Sequence, residues 1–153
     1  MAGPTSNAFK VAFAALRSKE RTNAELTAWL ERRGYGAEEV QAAIGRLVDM
    51  GELDDERFAW VYAEDKRDLR GWGAERIREA LLARGVPPSL AEAAVAADSH
   101  EAQVRRARNL LTGRAQRLAK DADRARALGY LTRRGYEYEI AYEAIRLATR
   151  RAA

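Results

Sequence analysis

Leu30-Glu-Arg-Arg-Gly34, Leu81-Leu-Ala-Arg-Gly85 and Leu131-Thr-Arg-Arg-Gly135 are three copies of one pentapeptide, Leu-x-x-Arg-Gly. The glycines lie 51 and 50 residues apart, and ten residues after them stand Ile44, Val95 and Ile145. A string that returns at this interval with a fixed apolar partner is the mark of tandem structural units. Its physics is that of a helix end. Leucine makes the last core contact, arginine sits at the negative pole of the helix dipole, and glycine takes the left-handed conformation that stops the helix. Apolar residues at helical spacing resume soon afterwards: Val40, Ile44, Leu47 and Val48, then Leu90, Ala94 and Val95, then Ile140, Ile145 and Leu147. Each copy therefore holds a helical hairpin.

Outward from each hairpin lies one further helix, at Phe9 to Leu16, Phe58 to about Leu69, and His100 to Leu111. Thr22-x-x-Glu25 has the form of a capping box, Asp54-Asp55-Glu56 loads carboxylates onto a helix start, and Pro87-Pro88-Ser89 precedes another. No segment alternates with a strand's period. The expected fold is all-α, an elongated array of three tandem three-helix modules at about 1–51, 52–97 and 98–153. Thr112 to Asp123 forms the longest connection. Units this small bury little surface alone, so neighbours are expected to share interfaces.

Composition narrows the function. Among 153 residues there is no Cys and one His, which removes thiol chemistry, disulfides and the common zinc and iron–sulfur sites. No cofactor or metal is expected. No run approaches the ~20 apolar residues of a membrane span, and Met1 to Lys19 lacks a compact apolar core with a cleavage-type end, so a cytoplasmic location with no membrane partner is expected. Charge is unevenly placed, with net -2 over residues 1–97 and net +6 over 98–153. Arginine, suited to bidentate pairing with carboxylate or phosphate, outnumbers lysine 23 to 4.

Several constellations invite chemistry. Asp54 and Asp55, with Asp65, could hold Mg²⁺ in a nuclease, but successive helical residues point about 100° apart, and their place before Phe58 suits an N-cap and first turn. His100 has no imidazole or thiol partner and reads as a surface residue. Gly73, in Gly71-Trp72-Gly73, lacks the strand a dinucleotide loop needs and reads as a cap or turn ahead of Ile77 and Leu81. Among the aromatics, Tyr35 and Tyr136 follow the repeat glycine and read as packing. Trp60, beside the core-facing set Phe58, Val61 and Tyr62, and Trp72 are candidates for an interface. The least bland feature is a basic run: Arg105, Arg106, Arg108, Arg114, Arg117, Lys120, Arg124 and Arg126 face only Asp121 and Asp123 between 105 and 126. It points to an anionic partner, clustered carboxylates or phosphate.

Three ordered blocks carry a resemblance over nearly the whole chain: Gly51-Glu-Leu-Asp-Asp-Glu-Arg57-Phe-Ala59, Gly73-Ala-Glu-Arg-Ile77 and Leu81-Leu-Ala-Arg-Gly-Val86. With Leu131 to Tyr136 and Ile140 as a closing hairpin, the chain is similar to the RecX family of bacterial recombination regulators. One departure is Ala80, which stands where the family carries Glu. The resemblance implies a non-enzymatic body that binds the RecA recombinase filament on single-stranded DNA and restrains its ATP turnover, strand exchange and coprotease stimulation; a monomer is expected. Mechanically, the modules would bridge adjacent subunits along the filament groove. Partner contacts would come from the basic run with Arg133, Arg134, Lys66 and Arg67. Asp54, Asp55, Arg57, Phe58, Gly73, Ile77, Leu81, Gly34, Gly85 and Gly135 would be structural. A plain helical DNA-binding module acting through the Arg-rich third repeat is the alternative. Against it stands the net negative charge of the first two modules, which leaves only the third for phosphate, so direct DNA binding is expected to be weak.

Overall fold

The computed structural model describes residues 4–114 and 118–152, which form nine helices and no strand. They are α1 (Pro4–Ser18), α2 (Asn23–Arg32), α3 (Ala37–Asp49), α4 (Asp55–Arg70), α5 (Ala74–Ala83), α6 (Pro88–Ala96), α7 (His100–Leu110), α8 (Asp121–Arg133) and α9 (Tyr138–Ala152). The three repeat glycines end α2, α5 and α8 with φ of 90°, 83° and 100°, the left-handed region. Leu30, Leu81 and Leu131, four residues before them, are fully buried. The stop signal and the last core contact thus come from one pentapeptide.

Buried side chains form three separate clusters, one for each set of three helices. Leu26, Leu30, Val40 and Leu47 centre the first, Ile77, Leu81, Val86 and Val95 the second, and Leu111, Leu131, Tyr136 and Ile140 the third. In each set the opening helix packs on the closing one, and the hairpin completes the unit. The accessible surface, 9446 Å², exceeds the roughly 7,700 Å² expected of a compact monomer of this mass. Three small cores in series, with no central one, account for the excess. No described helix is long and apolar enough to cross a membrane.

Helix starts follow the sequence. Thr22 accepts from Glu25 N–H while the Glu25 carboxylate accepts from Thr22 N–H, a complete capping box. Asp54 accepts from Arg57 N–H at 3.0 Å at the start of α4, and α6 begins at Pro88. One expectation fails on α4. Val61 is 45% exposed, because Ala59 and Ala63 occupy the buried stripe with Phe58 and Tyr62 at its margins. Val61 stands two residues from each alanine, about 200° around the helix, and so faces away from that stripe.

Adjacent units meet through two joints of the same design. At the first, the turn ending α5 lies on the N-terminus of α2. The Thr22 hydroxyl donates to the Arg84 carbonyl at 2.7 Å, and the Arg84 guanidinium grips the Glu25 carboxylate at 2.9 and 3.1 Å. Asp55 reaches across as well, accepting from Asn23 N–H at 2.9 Å. At the second joint, the turn ending α8 lies on the N-terminus of α5. Gly73 N–H donates to the Arg134 carbonyl at 2.8 Å and Glu75 N–H to the Gly135 carbonyl at 2.9 Å. These are N–H groups that a helix start cannot satisfy internally. Tyr136 then donates its hydroxyl to the Gly71 carbonyl at 2.9 Å.

Candidate anion-binding cleft at the second joint

The second joint shapes a cleft of about 530 Å³ lined by Leu69, Arg70, Trp72, Arg76, Tyr130, Arg133 and Arg134. Its walls come from the end of α4, the start of α5 and the end of α8, which the joint's hydrogen bonds hold in register. The Trp72 ring carries two cations, Lys66 Nζ at 4.9 Å from its centroid and the Arg76 guanidinium at 4.1 Å. Tyr130 carries Arg114 at 4.2 Å and Arg134 at 5.0 Å. Arg134 also donates to the Arg70 carbonyl at 2.8 Å, which ties the two walls together.

Among the described residues, Arg70, Arg76, Arg114 and Arg133 have no carboxylate within salt-bridge distance, and none lines the cleft. Aromatic faces hold guanidiniums by cation–π attraction, worth about 0.5–1 kcal/mol at exposed sites, without neutralising them. The arrangement keeps charge oriented and available to an anion. Arginine's planar fork suits carboxylates and phosphates alike.

The basic run divides under this geometry. Arg106 is half-buried, donating to both Asp98 oxygens at 2.6 and 3.2 Å and to the Tyr136 hydroxyl at 3.1 Å. Desolvation opposes its charge, but Asp98 and Tyr136 outweigh that and raise its pKa further. It is a strut inside the third unit, whereas the basic run had it meeting a partner. A charge count along a helix cannot separate a buried ion pair from a free cation. Arg124 is likewise engaged, by Asp121 and by the carbonyls of Leu118 and Ala119, and Arg126 pairs with Asp123 at 3.0 Å. Arg67 donates to the Ala94 carbonyl at 3.2 Å, holding the end of α6. Arg105 and Lys120 are exposed, Arg108 is partly buried, and Arg117 lies outside the described residues.

Of the two tryptophans expected at an interface, Trp72 lines the cleft and Trp60, 43% exposed, stands on α4 outside it. Arg70 and Arg76 escaped the sequence reading. They flank Gly71-Trp72-Gly73, and that flanking of an aromatic by cations was the available signal. Asp54 and Asp55 are spent on separate helix starts, and no cluster of three or more metal-ligating side chains occurs among the described residues. His100 is exposed and meets Glu143 at 2.7 Å.

The described residues thus define an all-helical array of three-helix units with a cationic cleft at one joint. Residues 54–95 match the family description "RecX, second three-helix domain". Regulatory protein RecX of Thermus thermophilus is 38% identical over 143 residues, which cover 94% of this chain and 93% of that protein. That of Trichlorobacter lovleyi is 31% identical, covering 88% and 91%. The crystal structure of RecX from Lactobacillus salivarius superposes with a TM-score of 0.89 at 21% identity, over 97% of this chain and 98% of that one. The chain belongs to the RecX family of regulatory proteins.

Proposed function

We propose that this protein binds the RecA recombinase filament on single-stranded DNA and restrains its ATP turnover, strand exchange and coprotease stimulation. It does so as a monomer in the cytoplasm, with no catalytic step and no cofactor, by bridging adjacent filament subunits along the groove. Modules at about 1–51, 52–97 and 98–153 supply separate weak contacts that combine through effective concentration. A body that prefers one subunit arrangement shifts the filament toward it, and turnover falls without any bond being made or broken.

The observation that carries this reading is the cleft at the second joint, where Arg76 is held against Trp72 and where Arg70, Arg76 and Arg133 have no carboxylate within salt-bridge distance among the described residues. A cleft spanning two units is suited to an anionic feature presented across a subunit boundary. Direct DNA contact is the subordinate reading. The engagement of Arg106, Arg124 and Arg126 within the chain leaves fewer free charges on the third unit than the sequence suggests.

DNA-dependent ATP turnover by RecA, titrated with the full-length chain, tests the proposal. The chain is expected to inhibit it, and Arg70→Glu/Arg76→Glu/Arg133→Glu is expected to need at least about tenfold more protein for the same inhibition, as removal of several central charges would require. An undiminished potency for that variant would remove the cleft from the mechanism. Absence of inhibition by the parent chain would remove the function itself.

A further inference from the structure

The third unit carries an apolar groove at a position its sister units fill with different residues. It lies between α8 and α9, on a different surface from the cleft, and has a volume of about 410 Å³. Ala125 and Leu128 form its floor on α8. Tyr138, Tyr142, Ile145 and Thr149 form its long wall, recurring every three or four residues along about 16 Å of α9. Tyr138 and Tyr142 stack with ring centroids 6.0 Å apart and are 61% and 58% exposed. So much aromatic surface left in water on one helix face is a mark of an interaction site.

The second unit shows the same position closed. Leu128 and Tyr142 stand 50 residues after Arg78 and Glu92, the spacing of Gly85 and Gly135. There the Arg78 guanidinium bridges α5 to α6, gripping Glu92 at 2.5 and 3.3 Å and Glu75 at 2.5 Å. In the first unit the matching residues are Thr27 and Gln41, small or neutral. One scaffold therefore carries an ion pair, a neutral polar pair and an apolar trough at a single place. The trough alone is rimmed by cations: Arg124, Arg146 and Arg150 line it, and no carboxylate does. Glu143 is turned away to His100, and Asp121 is held by Arg124.

The geometry points to an acidic amphipathic helix of a partner protein as the occupant, lying along α9 with apolar side chains between the tyrosines and Leu128 and carboxylates at Arg146 and Arg150. The wall's three turns match the anchor spacing of a helix in a groove. Cations at the rim select an acidic partner and set its direction. This surface and the cleft are separate, so the groove can be tested without the recombinase.

The probe is a labelled helical peptide of about four turns with a leucine stripe flanked by glutamates, read by fluorescence anisotropy on the full chain. It is expected to bind, while the same peptide with lysines in place of the glutamates does not. Leu128→Arg/Tyr142→Glu rebuilds the ion pair that the second unit already holds, and is expected to weaken binding at least tenfold with an unchanged helical spectrum. Arg146→Glu/Arg150→Glu alters only exposed side chains and is expected to reverse the peptide preference. Equal binding of both peptides, or none of the acidic one, would overturn the proposal. So would concentration-dependent dimerisation lost in Leu128→Arg/Tyr142→Glu, which would make a second copy the occupant.

Discussion

Arg105 and Arg106 are neighbours of the same type with opposite duties, and only the fold separates them. Arg105 is exposed on α7, whereas Arg106 braces Asp98, whose side chain is 5% exposed. Arg105→Ala is expected to change unfolding free energy by less than about 0.5 kcal/mol. Arg106→Ala strands the buried Asp98 carboxylate, while the Tyr136 hydroxyl keeps its bond to the Gly71 carbonyl, and is expected to cost about 2–4 kcal/mol, read from urea midpoints. Equal midpoints would contradict the strut assignment. The repeat glycines divide in the same manner. A Cβ on Gly34 would meet nothing within 4 Å, while one on Gly135 would lie 2.3 Å from Arg76 Cβ and 2.5 Å from Arg76 N. Gly34→Ala is expected to cost about 1 kcal/mol for its left-handed φ alone. Gly135→Ala must also open the second joint, and should show faster hydrogen exchange at Glu75 and Gly73 N–H, which the turn carbonyls accept.

At the scale of elements, the start of α2 was legible as a capping box and illegible as a joint. Thr22 and Glu25 sit three residues apart, so local spacing reveals their mutual hydrogen bonds. The Arg84 guanidinium that grips Glu25 is 59 residues away, and no local pattern encodes that meeting. The same limit explains the basic cleft. Trp72 was a candidate, but its union with Tyr130 and Arg133 arises only when the turn after α8 docks on α5. Helices, their stops and their caps are short-range consequences of sequence, whereas pairing of charges is a property of packing. The joint at α2 has a definite pH signature. Burial pushes the Glu25 carboxyl up, but hydrogen bonds from Arg84 and Thr22 N–H and the charges of Arg84 and Lys19 outweigh it and hold it below the usual range. Its contribution is complete above the ordinary carboxylate range and is lost as pH falls through the depressed folded value. Asp55 acts in the other direction. Burial raises it, with Asp54 and Glu25 adding to the rise against the Asn23 hydrogen bond, so ionising it costs stability as pH climbs from the ordinary range through its raised value. Urea midpoints against pH should therefore show a shallower acid-side decline in Glu25→Gln, a change of under about 1 kcal/mol since the pair is about one-third exposed. An unaltered acid limb would show that the pair does not hold the joint.

For the whole molecule, the consequence of three small cores is that shape resides in the joints. Each joint is a turn set on a helix start, held by a few hydrogen bonds and by glycines that permit backbone contact. A Cβ on Gly73 would lie 2.5 Å from the Gly135 carbonyl and from Tyr136 N, so both faces of the second joint require glycine. The hydrophobic clusters on either side do not depend on that contact. Gly73→Ala/Gly135→Ala is thus expected to leave helical content nearly intact while freeing the third unit to swing, which small-angle scattering would register as a larger radius of gyration. If bridging between filament subunits is the source of inhibition, this variant loses potency although every cationic side chain is retained, because effective concentration collapses when two contacts are no longer held at one separation. If instead the third unit acts alone as a charged patch, potency survives the loosened joint. Turnover titrations of the glycine variant beside Arg70→Glu/Arg76→Glu/Arg133→Glu separate geometry from charge. Loss in both supports a rigid bridge, and loss in the charge variant alone would replace the bridge with a tethered cation cluster.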